Sequence, residues 1–411
     1  MAFEPLRFAL TAVSMRSSLY IHVPFCMGVC DYCDFYSIAA DIDDKRLDSF
    51  VERLLEDVGN TIQYEGVADV PSVYIGGGTP SFLGAKRIER ILSGIRRILP
   101  NAPAELTIEA NPESIDRDFL DVCRISGVTR LSIGIQSRNP LARKAIGRQG
   151  SLIRIERTIN EIHSFFNGSL SCDLISGLPG QDETSLLDDI AFVIGSGANH
   201  VSLYSLGVEE ATPLHTSIRE GVVLLPDQDF ADGLWILGRD ALEEAGFLQY
   251  EVSNFAMPGS ESRHNQGYWR MENYLGCGPG AVGTIVDEAQ STARRIAVPK
   301  NVDAWLNGDP GGIATPEHIT RNELIAECLI MGFRTVAGVD DALLTKRFGA
   351  DTRVFIPHSL LVWRKRGLAE MDRPALTRSG LMFLNRFLID CLTELESTLT
   401  QDRNSIAGTF G

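Results

Sequence analysis

Short apolar runs alternate with amphipathic stretches through the first half of the chain. The stretch that begins at Asp43 has apolar residues at helical spacing, which predicts one buried helix face. These residues are Leu47, Phe50, Val51, Leu54, Leu55 and Val58. Further helices are predicted over 85–99, over 152–166 and after Asp182. Six β-favouring runs predict strands at 19–23, 72–75, 105–108, 130–135, 170–175 and 200–206.

Strands that alternate with helices are typical of an α/β fold with a parallel sheet, which we expect to be curved. Such sheets carry their chemistry at the carboxyl ends of the strands. Polar or glycine residues stand at these ends, in a sheet that we expect to be otherwise apolar. They are the run Gly76 to Gly78, Glu109, Gln136, Asp173 and Gly207. The glycines would expose backbone amides to a ligand or make a plain turn, and each carboxylate would bind a ligand or a helix residue.

The second half of the chain has a weaker pattern. A helix is predicted over 227–245, and a glycine-rich segment follows it. Thr320 and Glu323 form a capping box ahead of an apolar helix. Helices over 341–348 and 358–366, a hairpin-like piece over 367–377 and a last helix over 379–392 come next. We divide the chain into a leader without targeting function (1–18), a core (19–225), an extension (226–315), a C-terminal module (316–395) and a disordered tail (396–411).

Composition and charge narrow the class of protein. The chain has 411 residues, of which 44% are hydrophobic, and a net charge of −16. That charge argues against a nucleic-acid partner and gives no reason for strong attraction to anionic lipid. No apolar run reaches the roughly eighteen residues of a transmembrane helix. Five of the eight cysteines are scattered among apolar residues, so a disulfide framework is not indicated and a reduced, cytoplasmic location is expected.

The other three cysteines form the strongest motif. Cys26, Cys30 and Cys33 are spaced C-x3-C-x2-C directly after the first strand, which Pro24 ends. Three thiolates on so short a loop suit an iron–sulfur cluster or zinc. Phe35 stands where a fourth cysteine would complete a closed zinc site. A cubane held by three cysteines leaves one iron free to chelate S-adenosylmethionine. The alternative is a structural zinc knuckle.

These residues resemble a known family. The run CMGVCDYC resembles the motif of the radical S-adenosylmethionine superfamily, and YIHVPFC…CDYCDF is similar to its haem chaperone and oxygen-independent coproporphyrinogen oxidase branch. GGGTPS resembles the adenosylmethionine-binding loop of that family. The resemblance covers nearly the whole chain. It implies an incomplete (β/α)6 barrel, which is a partial TIM barrel, with a winged-helix-like α domain at the C-terminus.

The same resemblance implies cofactors and site residues. A [4Fe–4S] cluster would be held by Cys26, Cys30 and Cys33. Adenosylmethionine would contact Tyr20, Tyr32, Gly77, Gly78, Thr79, Glu109, Gln136, Arg148, Asp173 and, as a looser match, Gly207. Taken by itself, Arg148 is a carboxylate clamp or a surface charge. No catalytic residue is assigned.

A second motif, HNQGYW from His264 to Trp269, resembles the HNxxYW motif of the haem chaperones. There the histidine is a proposed haem ligand, and an imidazole beside aromatic rings suits that role. The alternative is a histidine that forms hydrogen bonds within a surface loop. His22, beside the cysteines, would likewise meet a ligand or be a half-buried strand residue.

Three functions compete. Phe35, the short N-terminal part and HNQGYW favour a haem chaperone that takes up haem as cargo and passes it to haem-dependent acceptors. The second is radical decarboxylation of coproporphyrinogen III, and the third is a zinc-stabilised binding module. The first two require an electron donor for the cluster. The sequence leaves a homodimer and peripheral membrane contact open.

Overall fold

The computed structural model describes residues 15–407, except for the side chains of 401–407. Residues 1–14 of the predicted leader and 408–411 of the predicted tail lie outside the described residues. The first part of the chain contains strands β1 Met15–Arg16, β2 Ser18–Val23, β3 Phe25–Cys26, β4 Ile38–Ala39, β5 Val67–Asp69, β6 Ser72–Gly77, β7 Glu105–Ala110, β8 Arg130–Gln136, β9 Ser169–Ser176 and β10 His200–Ser205. Its helices are α1 Arg46–Glu65, α2 Ala85–Ile98, α3 Arg117–Ile125, α4 Pro140–Ala145, α5 Leu152–Phe165, α6 Glu183–Gly195 and α7 Pro213–Arg219.

The six predicted strands form the centre of one sheet. They are all parallel and lie in the order β10-β9-β8-β7-β6-β2. Consecutive strands are neighbours, and a helix follows each of them, as in six successive βα units. This confirms the predicted parallel α/β fold.

The side chains of these strands alternate between two environments. Leu19, Ile21, Ile75, Ile108 and Leu131 point to the side of the helices and are fully buried in the main core. The other face is polar. Its residues include Tyr74, Thr107, Glu109, Ser132, Ser171, Asp173, Ser202 and Tyr204, all of which line a cavity. The prediction of a sheet that is apolar except at its rim is therefore wrong, because one entire face is polar.

The extension 226–315 continues this sheet at both edges. Its elements are α8 Gln228–Glu244, β11 Leu248–Gln249, β12 Asn254–Ala256, α9 Arg263–Trp269, β13 Tyr274–Cys277, β14 Val282–Asp287, β15 Thr292–Ala297 and α10 Val302–Asn307. At one edge β12 pairs antiparallel with β10, and at the other β13 pairs parallel with β2. With β16 Thr315–Ile319 beside β15, the sheet has twelve strands. The extension is thus part of the barrel sheet.

The C-terminal module is helical. Its helices are α11 Arg321–Gly332, α12 Asp341–Phe348, α13 Thr352–Phe355, α14 Pro357–Lys365, α15 Arg378–Leu381 and α16 Leu384–Ala407. The predicted capping box of Thr320 and Glu323 is present, and Ala369 and Leu376 form one antiparallel bridge in place of a longer hairpin. The module has a second apolar core, which also includes Val286 and Ala293 of the sheet.

The last helix is longer than predicted. It continues to Ala407, so the prediction that the chain is disordered from residue 396 is wrong for 396–407. The cause is visible in the spacing of the apolar residues. Leu395 is 2% exposed, and Leu399 packs against the same core as Leu388 and Cys391.

Two further expectations concern thiols and membranes. All eight cysteines are free thiols. Within residues 15–407, no helix combines the length and the apolar character that crossing a bilayer requires.

Replacing Phe387 by alanine should destabilise the C-terminal module. Phe387 is fully buried, and its ring packs edge-on against Phe333 and Trp363 at centroid distances of 4.6 and 5.0 Å. We expect Phe387→Ala to lower the free energy of unfolding by about 3–5 kcal/mol. Ile389→Ala, on the same helix but 57% exposed, should change it by less than about 0.5 kcal/mol. Equal losses in a urea titration of both variants would contradict this packing.

Candidate functional site

The cysteine loop is fixed by backbone pairing at both of its ends. Cys26 belongs to β3, which pairs with β4, and the amide of Ala40 donates to the carbonyl of Cys26 at 2.9 Å. A turn between Cys30 and Cys33 is closed by a backbone hydrogen bond of 3.1 Å. Because both ends are tied down, the three thiols stay at the carboxyl end of β2.

The glycines after β6 allow the chain to pass close to this loop. A Cβ at Gly78 would lie 2.9 Å from Cys26 Sγ, and one at Gly77 would lie 2.7 Å from the ring of His22. The amide of Gly78 donates to Val23, and the amide of Thr79 donates to Phe25. These amides are therefore already hydrogen-bonded, and the expectation that they are bare is wrong in this conformation.

Glu109 lies at the centre of the site. Its Oε2 accepts from the amide of Gly77 at 3.0 Å, and its Oε1 accepts from the hydroxyl of Tyr74 at 2.8 Å. Burial raises the pKa of Glu109 to about 7, against the opposing effect of the bond from Tyr74. The carboxyl group thus holds the glycine turn and exchanges a proton near neutral pH.

Asp173 faces Glu109 from β9. It accepts hydrogen bonds from Ser132 at 3.2 and 3.3 Å, and burial raises its pKa to about 6. The alternative interpretation, in which each carboxylate pairs with a helix side chain, is wrong. Among the described residues, neither Glu109 nor Asp173 is paired with a cationic side chain of a helix. Two carboxyl groups with raised pKa values in one cavity indicate a functional site.

Gln136, the last residue of β8, and Arg148, which follows α4, reach the same space. Arg148 donates to the carbonyl of Gly134 at 2.6 Å, and its Nη1 lies 3.7 Å from Cys30 Sγ. Gln136 has a φ of 60°, which is unusual for a residue other than glycine, and is 8% exposed. Its Oε1 has no hydrogen-bond partner among the described residues. A buried amide oxygen of this kind fits a ligand that donates a hydrogen bond.

A cavity of about 380 Å³ joins these residues. The predicted residues that line it are Cys26, Cys30, Tyr32, Cys33, Gly77, Gly78, Thr79, Glu109, Gln136, Arg148, Asp173 and Gly207. Phe35 lies at its mouth and is 65% exposed. Tyr74, Ser132 and Ser202 also line the cavity and were not predicted, although the alternation of polar residues along each strand indicates them.

Tyr20 and His264 lie outside this lining. Tyr20 donates to His22 Nδ1 at 2.9 Å, and His22 Nε2 is 2.8 Å from the carbonyl of Tyr36. His22 is 3% exposed, so it is a buried strand residue. It fixes the hydroxyl of Tyr20 beneath the glycine turn.

His264 is a buried residue of helix α9 and does not lie in a surface loop. It is 1% exposed, its Nδ1 lies 2.9 Å from Ser72 Oγ, and its Nε2 lies 2.8 Å from the hydroxyl of Tyr268. Burial lowers its pKa to about 3, so the imidazole is neutral. Glu105 accepts from Ser262 and from the first amides of α9, which fastens the helix to the start of β7. Both ring nitrogens are engaged in this conformation.

The sequence of this chain is similar to those of known proteins. Residues 20–193 match the model of the radical SAM superfamily. The chain is 34% identical to radical S-adenosyl methionine domain-containing protein 1, mitochondrial, from Bos taurus, with 94% of this chain and 90% of that protein covered. It is 32% identical to heme chaperone HemW from Bacillus subtilis, with 92% and 100% covered.

The chain belongs to the radical SAM superfamily. Within it, the curated relatives place the chain with heme chaperone HemW. Heme chaperone HemW from Escherichia coli is 37% identical over 65% of this chain and 70% of that protein. The solved structure of coproporphyrinogen III oxidase (HemN) from E. coli shares the fold, with a TM-score of 0.76 and 21% identity over 92% of this chain and 90% of that one.

Membership implies a [4Fe–4S] cluster and S-adenosylmethionine, and the residues fit both. Among residues 15–400, no three His, Cys, Asp or Glu side chains converge on a single metal ion. A cubane spreads three thiolates over three different irons, so the cysteine loop suits a cluster better than one zinc ion. Thr79 Oγ1 also donates to Cys26 Sγ at 3.4 Å, a contact that would stabilise a cluster thiolate.

The raised pKa of Glu109 predicts a pH dependence of stability. The folded protein keeps this proton up to about pH 7, whereas an unfolded glutamate loses it near 4.5. Folding stability should therefore fall as the pH rises through this window. Glu109→Gln has no such proton. The melting temperature of the variant minus that of the parent protein should therefore increase as the pH rises from the lower to the upper end of this window. A constant difference in scanning calorimetry would contradict the assignment, and Glu52→Gln, on the surface, serves as the control.

Proposed function

We propose that this protein is a haem chaperone of the radical SAM superfamily, which binds haem and transfers it to haem-dependent acceptor proteins. One observation carries the proposal: HemW of B. subtilis matches 92% of this chain and is itself covered completely. Phe35 supports the same choice, because the oxidases that this chain resembles usually carry a fourth cysteine at that position.

In this proposal Cys26, Cys30 and Cys33 hold the cluster, and the cavity receives S-adenosylmethionine. The bound cluster and adenosylmethionine supply one-electron cleavage of the sulfonium. The protein positions the co-substrate: Glu109 and Asp173 offer hydrogen-bond acceptors, Gln136 an unpartnered amide oxygen, and Arg148 a cation beside Cys30. The polar cavity face would orient the ligand, while Phe35 shields the mouth.

A second function has its own support. The fold is shared with HemN over nearly the whole chain, so decarboxylation of coproporphyrinogen III is the alternative. The two are separated by assays on anaerobically reconstituted protein. Haem binding without conversion of coproporphyrinogen supports the chaperone. Formation of protoporphyrinogen would overturn it in favour of the oxidase.

The proposal also concerns location and partners. Eight free thiols suit a reduced compartment, and we propose the cytoplasm. An electron donor must serve the cluster, and haem-accepting proteins must dock near the bound cargo.

Loss of one cluster cysteine should abolish the iron–sulfur site. Cys30→Ser is expected to lose the visible absorption band and nearly all bound iron and sulfide, because the cubane would keep only two protein ligands. Cys123→Ala removes a thiol that is buried on α3, and it should keep both. A zinc-stabilised module would bind zinc and show no band that responds to reductant.

His264 is the proposed haem ligand, and it can ligate iron only if Nε2 gives up its bond to Tyr268. Tyr268→Phe removes that competitor, so it should bind haem as tightly as the parent protein or more tightly. His264→Ala should bind haem more weakly. The measurement is a haem titration followed by the Soret band, with His358→Ala on the exposed surface as the control. Unchanged affinity in His264→Ala would show that another residue ligates the iron.

A further inference from the structure

Tyr74 lies in the cavity and is hydrogen-bonded to Glu109. Its ring lines the cavity that Cys26, Cys30 and Cys33 also line, and its hydroxyl donates to Glu109 at 2.8 Å. The same carboxylate binds Gly77, two residues before the threonine that contacts Cys26. The phenolic O–H of Tyr74 thus lies inside the site, beside the carboxyl group of Glu109.

A line of aromatic rings leads away from Tyr74. Its ring stacks on His264 at a centroid distance of 5.2 Å, and His264 meets Tyr268 edge-on at 4.8 Å. Tyr268 in turn meets Tyr274 at 4.5 Å, in strand β13 at the edge of the parallel strands. The rings are therefore in continuous contact from the cavity to β13, the strand beside β2.

The hydrogen bonds in this line have defined directions. Ser72 Oγ donates to Ser18 Oγ at 2.8 Å, so it accepts from His264 Nδ1. The imidazole is neutral, and its Nε2 must then accept the hydroxyl of Tyr268. Tyr74 donates to the carboxyl group of Glu109, and Tyr268 donates to His264. Oxidation of Tyr268 is favoured by this bond, because the imidazole of His264 can take the phenolic proton.

We propose that Tyr74 is an internal hydrogen-atom donor to a carbon radical formed in the cavity, and that His264 and Tyr268 carry the oxidising equivalent onward. The inference rests on the proposed radical chemistry of the site. It gives His264 and Tyr268 of the HNQGYW segment a role that does not require the hydrogen bond between them to be displaced beforehand.

The step balances as a hydrogen-atom transfer. The O–H bond of Tyr74 breaks homolytically, and a C–H bond forms on the primary carbon radical derived from adenosylmethionine. The carbon is reduced by one electron and the tyrosine is oxidised to a phenoxyl radical. An alkyl C–H bond is stronger than a phenolic O–H bond, so the transfer is favourable.

The onward step moves one electron and two protons. An electron passes from Tyr268 to Tyr74, the phenolic proton of Tyr268 goes to His264 Nε2, and Tyr74 takes a proton from Glu109. The one-electron reductant that charges the cluster then reduces the radical on Tyr268, and His264 returns the proton to its hydroxyl. Glu109, which starts the cycle protonated, takes up one proton from water in place of the one it gave to Tyr74. The site thereby returns to its resting state when no cargo quenches the carbon radical.

Turnover in heavy water tests the donor. Reconstituted protein is equilibrated in D2O, which exchanges phenolic hydrogens, and is then supplied with dithionite and unlabelled adenosylmethionine. We expect 5′-deoxyadenosine that carries a single deuterium. Tyr74→Phe should lose the label, and Tyr64→Phe, which removes a tyrosine that is 80% exposed, should keep it.

A second measurement needs no variant. Freeze-quenched parent protein should show a tyrosyl radical by electron paramagnetic resonance, whose hyperfine structure narrows when the chain contains ring-deuterated tyrosine. Unlabelled 5′-deoxyadenosine from the parent protein, or a label that persists in folded Tyr74→Phe, would overturn the inference while leaving adenosylmethionine cleavage intact. If no 5′-deoxyadenosine forms, the radical chemistry itself fails, and the inference fails with it.

Discussion

Alternation along six parallel strands is the constraint on which the structure depends. Residues such as Ile21 and Ile75 point to the helices and form the core, so their neighbours along each strand must point to the other face. In this chain those neighbours are polar. Because consecutive parallel strands lie side by side, their inward residues meet in one space, and the βα loops close that space at the carboxyl ends. The cavity is thus a direct consequence of how the sheet is built.

Within that cavity the carboxyl group of Glu109 connects the glycine turn after β6 with the polar face of the sheet. It is bonded to the turn that approaches Cys26 and to Tyr74 on the neighbouring strand. Burial disfavours the charged form of this carboxyl group, so the pKa of Glu109 is raised. The polar face of the sheet and the cysteine loop therefore border one cavity of about 380 Å³, with Glu109 between them.

Much of this could be predicted from the sequence, because the strongest patterns are local. The parallel strands and α1 have unbroken apolar spacing, and the cysteine loop and GGGTPS lie within a few residues of strand ends. The strands of 248–319 were not predicted, since they are short and pair with partners far away in sequence: β13 joins β2 across some 250 residues. The hydrogen bonds of His264 could not be predicted from the sequence either. Its partner Ser72 and the cap Glu105 belong to strands that precede it by more than 150 residues.

The central claim is a cubane held by three protein sulfurs, with one iron available to S-adenosylmethionine. Mössbauer spectroscopy of anaerobically prepared, iron-57-labelled protein tests it most directly. The account predicts a [4Fe–4S] spectrum in which one of the four irons changes its parameters when adenosylmethionine is added, while the other three do not. A spectrum that adenosylmethionine leaves unchanged, or stoichiometric zinc in place of iron and sulfide, would contradict it.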